Sequence, residues 1–365
     1  MSIDQKGPVA RRANSLSDPD LGKGPDGATD PDDHSIVVGT GHEQLAIEVH
    51  GLTKRFGETV AVAGIDFSVA QGEIFAFLGP NGAGKSTTIK MLCTLARPTS
   101  GQATVAGYDV ATRAKAVRRH IGLVFQEQTL DNQLTGEENL RFHAVLYGIP
   151  HEQVEPRIAK VLNLVALSER RKDIVSTYSG GMARRLEIAR GMLHAPKVLF
   201  LDEPTVGLDP QTRALVWDDL HRMQQSEGMT VFLTTHYMDE AEFAHRIAIV
   251  DQGSIIALNT PEGLKASVGE DTVNLETADD TTALASLQKA GYQVKSTAEG
   301  LTVSVADADA AVGPIVMAAG VPVRTLRAHH PSLDDVFLHF TGRQIREEHG
   351  EAVPMMARAH GARAH

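Results

Sequence analysis

The chain has 365 residues, 42% hydrophobic and 22% charged, which is room for one large or two moderate domains of ordinary globular composition. A formal net charge of −11 argues against sequence-independent binding of nucleic acid. The one cysteine, Cys93, excludes an internal disulfide and points to a reducing compartment. With no signal-peptide pattern and no run approaching ~18 apolar residues, any membrane role needs a separate membrane-spanning partner.

Residues 1–43 read as a disordered tail without chemistry. They hold no aromatic residue, repeat Pro, Gly, Asp and Ser, and carry four basic against eight acidic residues, a net of −4. Order begins with two alternating segments, Leu45–Val49 and Val60–Val69. Between them lies Lys54-Arg55-Phe56-Gly57, where Phe56 suits either stacking on a base or a corner of the sheet core.

Ile74–Thr87 reads I-F-A-F-L-G-P-N-G-A-G-K-S-T. Five apolar residues without alternation predict a strand buried on both faces of a parallel sheet. The Gly-rich turn and Lys-Ser-Thr that follow match the phosphate-loop pattern in its strand–loop–helix context. Gly79, Gly82 and Gly84 free the backbone to aim N–H groups at phosphate oxygens, and the helix start adds its dipole. Lys85 would meet the β/γ-phosphates, and the Ser86 hydroxyl would ligate Mg²⁺.

Further along, Gln102–Val105 and Ile121–Phe125 read as strands on either side of a basic helical stretch (Arg113, Lys115, Arg118, Arg119), and the second ends at Gln126. Residues 127–195 read as mostly helical, clearest over Glu138–Tyr147, Val154–Leu167 and Ala183–Leu193. Tyr178-Ser179-Gly180-Gly181-Met182 opens the last of these, with Ser179 as a candidate N-cap and the helix start as a second anion site. Val198–Leu201 is an apolar run closed by Asp202-Glu203-Pro204. Asp209-Pro210 starts a helix that carries Trp217, read as a core anchor. Val231–Thr235 is a strand ending at His236, and Arg246–Val250 with Ser254–Leu258 signal a hairpin around Asp251-Gln252-Gly253. Thr272–Thr341 follows a strand, helix, strand, strand, helix, strand, helix order, which predicts a small separate α+β module. The tail from Gly342 is charged and rich in His, Ala and Arg, without metal-site spacing.

Four apolar strands thus end in polar residues suited to ATP chemistry: Gly79–Ser86, Gln126, Asp202-Glu203 and His236. In an open parallel sheet the carboxyl ends share one edge, so residues distant in sequence converge there. Asp202 suits a Mg²⁺ ligand, and Glu203 is placed to polarise an attacking water.

These residues resemble the ATP-binding subunits of ABC transporters over about Leu45–Ala266, because the parts stand in that family's order. They are Gly79–Thr87 (Walker A: Gly79, Pro80, Asn81, Gly82, Ala83, Gly84, Lys85, Ser86, Thr87), Gln126 (Q-loop), Tyr178–Met182 (signature), Val198–Glu203 (Walker B), Gly207-Leu208-Asp209 (D-loop) and His236 (switch histidine). Phe56 falls at the family's adenine-stacking position. Pro331-Ser332-Leu333-Asp334-Asp335-Val336-Phe337 and Thr341-Gly342-Arg343 look like the daunorubicin-resistance subfamily, drug exporters with type-2 permeases.

The resemblance implies an α/β P-loop ATPase of ABC type: a mainly parallel sheet core, an antiparallel β region and a helical insertion over about 127–195. This ATP-binding domain would span 44–268, followed by an α+β module at 269–342 and a disordered tail at 343–365. It implies ATP and Mg²⁺ as cofactors, with Glu203, His236 and Gln126 catalytic and Ser86, Gln126 and Asp202 around the metal. It also implies a homodimer with two sandwiched ATPs, in which Ser179, Gly180, Gly181 and Asp209 act across the interface. The helical region would meet a separate integral-membrane permease at the cytoplasmic face of the membrane. Two departures stand out: Met182 replaces the common Gln of the signature, and Tyr178 the usual Leu. The alternatives are a soluble ABC-type ATPase acting on nucleic acid or ribosomes, an importer ATPase, and a non-hydrolysing regulator. Long coiled-coil insertions or a second motif set would mark the first, and this sequence has neither. Its acidity also disfavours nucleic acid.

Overall fold

A computed structural model describes residues 44–297 and 300–342, so both predicted tails lie outside the described residues. Strands β1 (Leu45–Phe56) and β2 (Thr59–Ala70) pair antiparallel, and β3 (Ile74–Leu78) runs into helix α1 (Lys85–Leu92). With β4 (Ser100–Val105) and β5 (Tyr108–Asp109) the first two form a sheet in the order β2-β1-β4-β5. Helix α2 (Ala114–His120) leads into β6 (Ile121–Val124). The helical stretch comprises α3 (Gly136–Leu146), α4 (His151–Leu164) and α5 (Gly180–Met192). After it come β7 (Val198–Asp202), α6 (Pro210–Glu227), β8 (Thr230–Thr235), α7 (Met238–Ala241), the hairpin β9 (Arg246–Asp251) and β10 (Ser254–Asn259), and α8 (Pro261–Ala266).

The second sheet has the order β10-β9-β3-β8-β7-β6, parallel throughout except for β10. Every residue of β3, β7 and β8 is buried, which is why these strands show no alternation in the sequence. On one face Phe75, Phe77, Phe200 and Phe232 pack with Phe67 of β2, ring centroids lying 5.2–6.2 Å apart. The opposite face carries Ile74, Leu78, Leu199, Leu201 and Leu233 against the helices, with Trp217 and Leu186 in the same core.

Several boundaries differ from the sequence reading. The Lys54-Arg55-Phe56 segment continues β1 rather than separating two strands, because the ladder with β2 runs on to Phe56 opposite Thr59. Phe56 does not fill a sheet corner; it is 56% exposed. Helix α5 starts at Gly180, three residues early, because the Ser179 hydroxyl accepts the Met182 N–H. Helix α3 starts at Gly136 because Thr135 and Glu138 cap one another reciprocally. Cys93 and Trp217 are both buried, as read.

The C-terminal segment continues β11 (Asp271–Thr277), α9 (Asp280–Lys289), β12 (Gln293–Thr297), β13 (Gly300–Val305), α10 (Ala308–Ala319), β14 (Val323–His329) and α11 (Leu333–Thr341). Its sheet has the order β12-β13-β11-β14, with a small core of its own built from Val273, Leu275, Leu287, Val303 and Ile315. Helix α11 leaves that core. Its Leu333, Val336 and Phe337 belong to the core of the parallel sheet, where the helix packs against α7 and α8. Phe337→Ala should therefore destabilise the parallel-sheet core by roughly 3–5 kcal/mol, as large-to-small core changes do. Urea unfolding checks this, and a cost near zero would mean that α11 docks loosely.

Candidate functional site

The carboxyl ends of β3, β6, β7 and β8 lie on one edge of the parallel sheet, since their pairings are all parallel. The loop after β3 closes on the start of α1 through Gly84, at φ 104°, where a Cβ would stand 2.5 Å from the Ala61 carbonyl. A hollow of about 300 Å³ opens here, lined by Asn81, Gly82, Gly84, Lys85, Ser86 and Thr87 together with Gln126, Glu203 and Ala61.

Lys85 and Glu203 are both buried, with Lys85 Nζ 3.4 Å from Glu203 Oε1. Lys85 also donates to the carbonyls of Gly79 (2.7 Å) and Pro80 (3.1 Å). Burial pushes its ammonium below the ordinary lysine range, against the raising influence of Glu203 and Asp202. Burial likewise opposes ionisation of Glu203, but His236 and Lys85 outweigh it and hold this carboxyl below its ordinary value. His236 Nδ1 stands 3.5 Å from Glu203 Oε1. Glu203 itself sits at φ 47°, a left-handed conformation that a non-glycine residue keeps only under constraint. That constraint comes from β8: the Glu203 N–H donates to the Thr234 carbonyl (3.2 Å) and to its hydroxyl (3.0 Å).

Asp202 accepts from Ser86 Oγ (3.0 Å) and Thr234 Oγ1 (2.7 Å). The Ser86 hydroxyl and Asp202 carboxylate thus set hard oxygen atoms at one place, the donor type that Mg²⁺ takes, and Gln126 lines the same hollow as Ser86. Ala83 is buried in the loop and returns its carbonyl to the Gly253 N–H.

Five predicted site residues lie elsewhere. Phe56 stands outside the hollow, with Lys54 Nζ 4.9 Å over its ring. Ser179, Gly180 and Gly181 form the start of α5, and Ser179 and Gly180 are exposed. Asp209 is exposed and caps α6 by accepting from Thr212, which holds its carboxyl below the usual range. The signature and this cap touch one another: a Cβ on Gly181 would lie 2.1 Å from Thr212 Cγ2. Tyr178 takes a role that its side chain allows, donating its hydroxyl to the Arg170 carbonyl (2.7 Å).

Sequence reasoning missed the residues that fasten these loops. Thr234 bridges Asp202 and Glu203. Glu240, 1% exposed, accepts from Thr205 beyond β7 and from Thr235 (2.7 Å) beside His236, while Arg213 Nε lies 3.4 Å away. Arg184 is buried behind the Walker B turn. A lone Thr, Glu or Arg carries no signal of burial in a sequence, and only adjacency to the motifs could have drawn attention to them.

A Gly-rich loop with a buried Lys at the carboxyl edge of a parallel sheet, next to an Asp-Glu pair, defines a P-loop nucleoside triphosphatase. Residues 62–206 match the family model of the ABC transporter, and residues 260–341 that of the ATP-binding protein DrrA1-3-like, C-terminal domain. The chain is 41% identical over 311 residues to the daunorubicin resistance ATP-binding protein DrrA3 of Streptomyces coeruleorubidus, covering 83% of this chain and 98% of that protein. It is 38% identical to the Nod factor export ATP-binding protein I of Paraburkholderia xenovorans, covering 83% and 99%. Among solved structures, the ATP-binding cassette MJ0796, in a dimeric post-hydrolysis state bound to ADP and Pi, superposes with a TM-score of 0.53. The identity is 26%, covering 59% of this chain and 98% of that one. The chain belongs to the ATP-binding subunits of ABC transporters, and it is a nucleotide-binding ATPase.

The Gly181–Thr212 contact gives a direct test. Gly181→Ala should cost about 1–3 kcal/mol by overpacking. Thr212→Ser, which deletes the clashing methyl and keeps the hydroxyl for Asp209, should recover most of that cost in a double-mutant cycle followed by thermal melts. Equal costs with and without the methyl would contradict the contact.

Proposed function

We propose that this chain is the ATP-hydrolysing subunit of an exporter, powering a separate membrane permease that carries a drug, antibiotic or lipid-like substrate. The observation that carries it is the convergence of Lys85, Ser86, Gln126, Asp202, Glu203 and His236 on one sheet edge. Export is favoured over import by the relatives' names, which speak of daunorubicin resistance and Nod factor export.

In this reading Asn81–Thr87 wrap the phosphates of ATP, and Lys85 moves from the loop carbonyls to the β/γ-phosphates. Ser86, Asp202 and Gln126 would hold Mg²⁺, which when bound offsets phosphate charge. Glu203, kept ionised, accepts hydrogen bonding from the attacking water and aligns it, and His236 fixes the Glu203 side chain. Phe56 would meet the base. Two chains pair head to tail, and Ser179, Gly180 and Gly181 of one close over the nucleotide of the other, with Asp209 beside them. Exposure of Ser179, Gly180 and Asp209 supports that assignment, since all three stand outside the hollow lined by Lys85 and Glu203.

The permease would dock on α3. A groove of about 530 Å³ runs between α3 and β6, lined by Leu95, Phe125, Phe142, Leu146 and Tyr147, all of them large and exposed. Apolar surface gathered in this way marks a protein contact. Among the described residues no helix is long and apolar enough to cross a membrane, so attachment to the cytoplasmic face would run through this groove.

Glu203→Gln should keep ATP binding, trap an ATP-dependent dimer in gel filtration and lower turnover by at least about 100-fold. Near-normal turnover would remove Glu203 from its role. Phe142→Asp should abolish co-purification with the permease while the basal ATPase rate of the separate chain stays unchanged. Retained co-purification would move the docking site elsewhere.

A further inference from the structure

Arg184 is 7% exposed and spends all five of its N–H groups inside the protein. Nε donates to the Pro204 carbonyl (2.5 Å), and Nη1 to the Phe125 carbonyl (2.5 Å) and to Glu187 Oε2 (3.0 Å). Nη2 reaches the carbonyls of Asp202 and Glu203, both at 3.3 Å. Those four carbonyls belong to two segments: the residue before Gln126, and the turn that carries Asp202 and Glu203. Each lies where its strand is ending and the sheet ladder gives out, so each needs another donor.

Glu187, one helical turn on and 1% exposed, completes the grip. Its Oε1 accepts the Thr129 N–H (2.6 Å) and hydroxyl (3.2 Å). The Arg184–Glu187 pair therefore holds the Gln126 loop at both ends, Phe125 and Thr129, and Arg184 joins Thr234 and Glu240 in holding the Walker B turn. Both residues stand on α5, whose first turn is Gly180-Gly181. Arg184 lies four residues beyond Gly180, about 6 Å along the same face of one continuous helix.

We infer that Arg184 is a positioning residue that ties the Gln126 loop and the Asp202–Pro204 turn to the signature helix. Contact of Ser179–Gly181 with the partner's nucleotide thereby sets the geometry of this chain's own Gln126 and Glu203. The inference rests on the two-ATP dimer proposed above and adds a connection within each chain between its signature and its own hydrolytic site. A buried guanidinium is costly to desolvate, and capping four strand-end carbonyls could be all that it does. The distinction is kinetic. A cap alone affects stability, whereas a link affects turnover after the dimer has formed.

The test uses the full chain with two changes, R184Q and the double variant R184M/E187M, which removes both members of the buried pair. Measured are thermal stability, ATP-dependent dimer formation and steady-state ATPase against ATP concentration. We expect both variants to bind ATP and dimerise on it, with KM within about threefold of the parent chain and kcat lowered at least about tenfold. The variants would thus resemble Glu203→Gln although Glu203 is intact. A folded variant with kcat within about twofold of the parent overturns the inference. So does activity lost in step with thermal stability or with dimer formation in both variants, because Arg184 is then a structural cap. If Glu203→Gln with Arg184 intact fails to dimerise on ATP, the dimer reading itself fails, separately from the role of Arg184.

Discussion

The constraint that governs this molecule is that β3, β7 and β8 are buried on both faces along their whole length. A side chain there has no water to reach, so a polar group within the strands would cost several kcal/mol unless paired. Chemistry is thereby pushed to the strand ends, and the parallel pairing gathers those ends on one edge. The phenylalanine cluster on one face stiffens the platform, since each buried ring contributes about 1.5–3 kcal/mol by burial alone. The loop residues inherit that rigidity. Glu203 can hold a left-handed backbone because Thr234, on the neighbouring strand, fixes its N–H from two directions.

The charges follow from the same geometry. Lys85, Asp202 and Glu203 are all largely removed from water, and the strand ends place them within a few ångströms of one another. Burial acts against the charged form of Lys85 and of Glu203, while their mutual attraction and His236 act for it. For Glu203 the attraction prevails and the carboxylate stays ionised, as a group that must align water requires. For Lys85 burial prevails in direction, yet its three close oxygen partners keep an ammonium well satisfied.

How much of this was legible depended on whether a residue's signal is local. The unbroken apolar runs Ile74–Leu78 and Val198–Leu201, each followed by its polar motif, gave the parallel sheet and the edge on which the site lies. The reading of Thr272–Thr341 as strand, helix, strand, strand, helix, strand, helix matches the order of β11 to α11. Phe56 stood open between base stacking and a sheet corner because an aromatic side chain in an alternating strand looks the same whichever face is covered, and here its face is open. Arg184 fell within the predicted helix Ala183–Leu193 with no signal of its own. Its burial follows from what α5 packs against, and periodicity reports which face is hidden without saying by what. Tyr178 looked like a departure from the signature, and its hydroxyl bond to Arg170 depends on a turn that its neighbours form.

Helix α11 shows the same limit and carries the last step. Its sequence places it at the end of the C-terminal segment, and its capping box and apolar stripe are local features. Yet Leu333, Val336 and Phe337 pack with α7 and α8, not with the small core formed by β11, β13, α9 and α10. Helix α7 begins two residues after His236, and its Glu240 holds the hydroxyl of Thr235. Helix α11 and helix α7, which follows the turn bearing His236, are therefore seated in one core. Close-packed cores do not deform gradually. A displacement of α7 therefore changes its packing against α11.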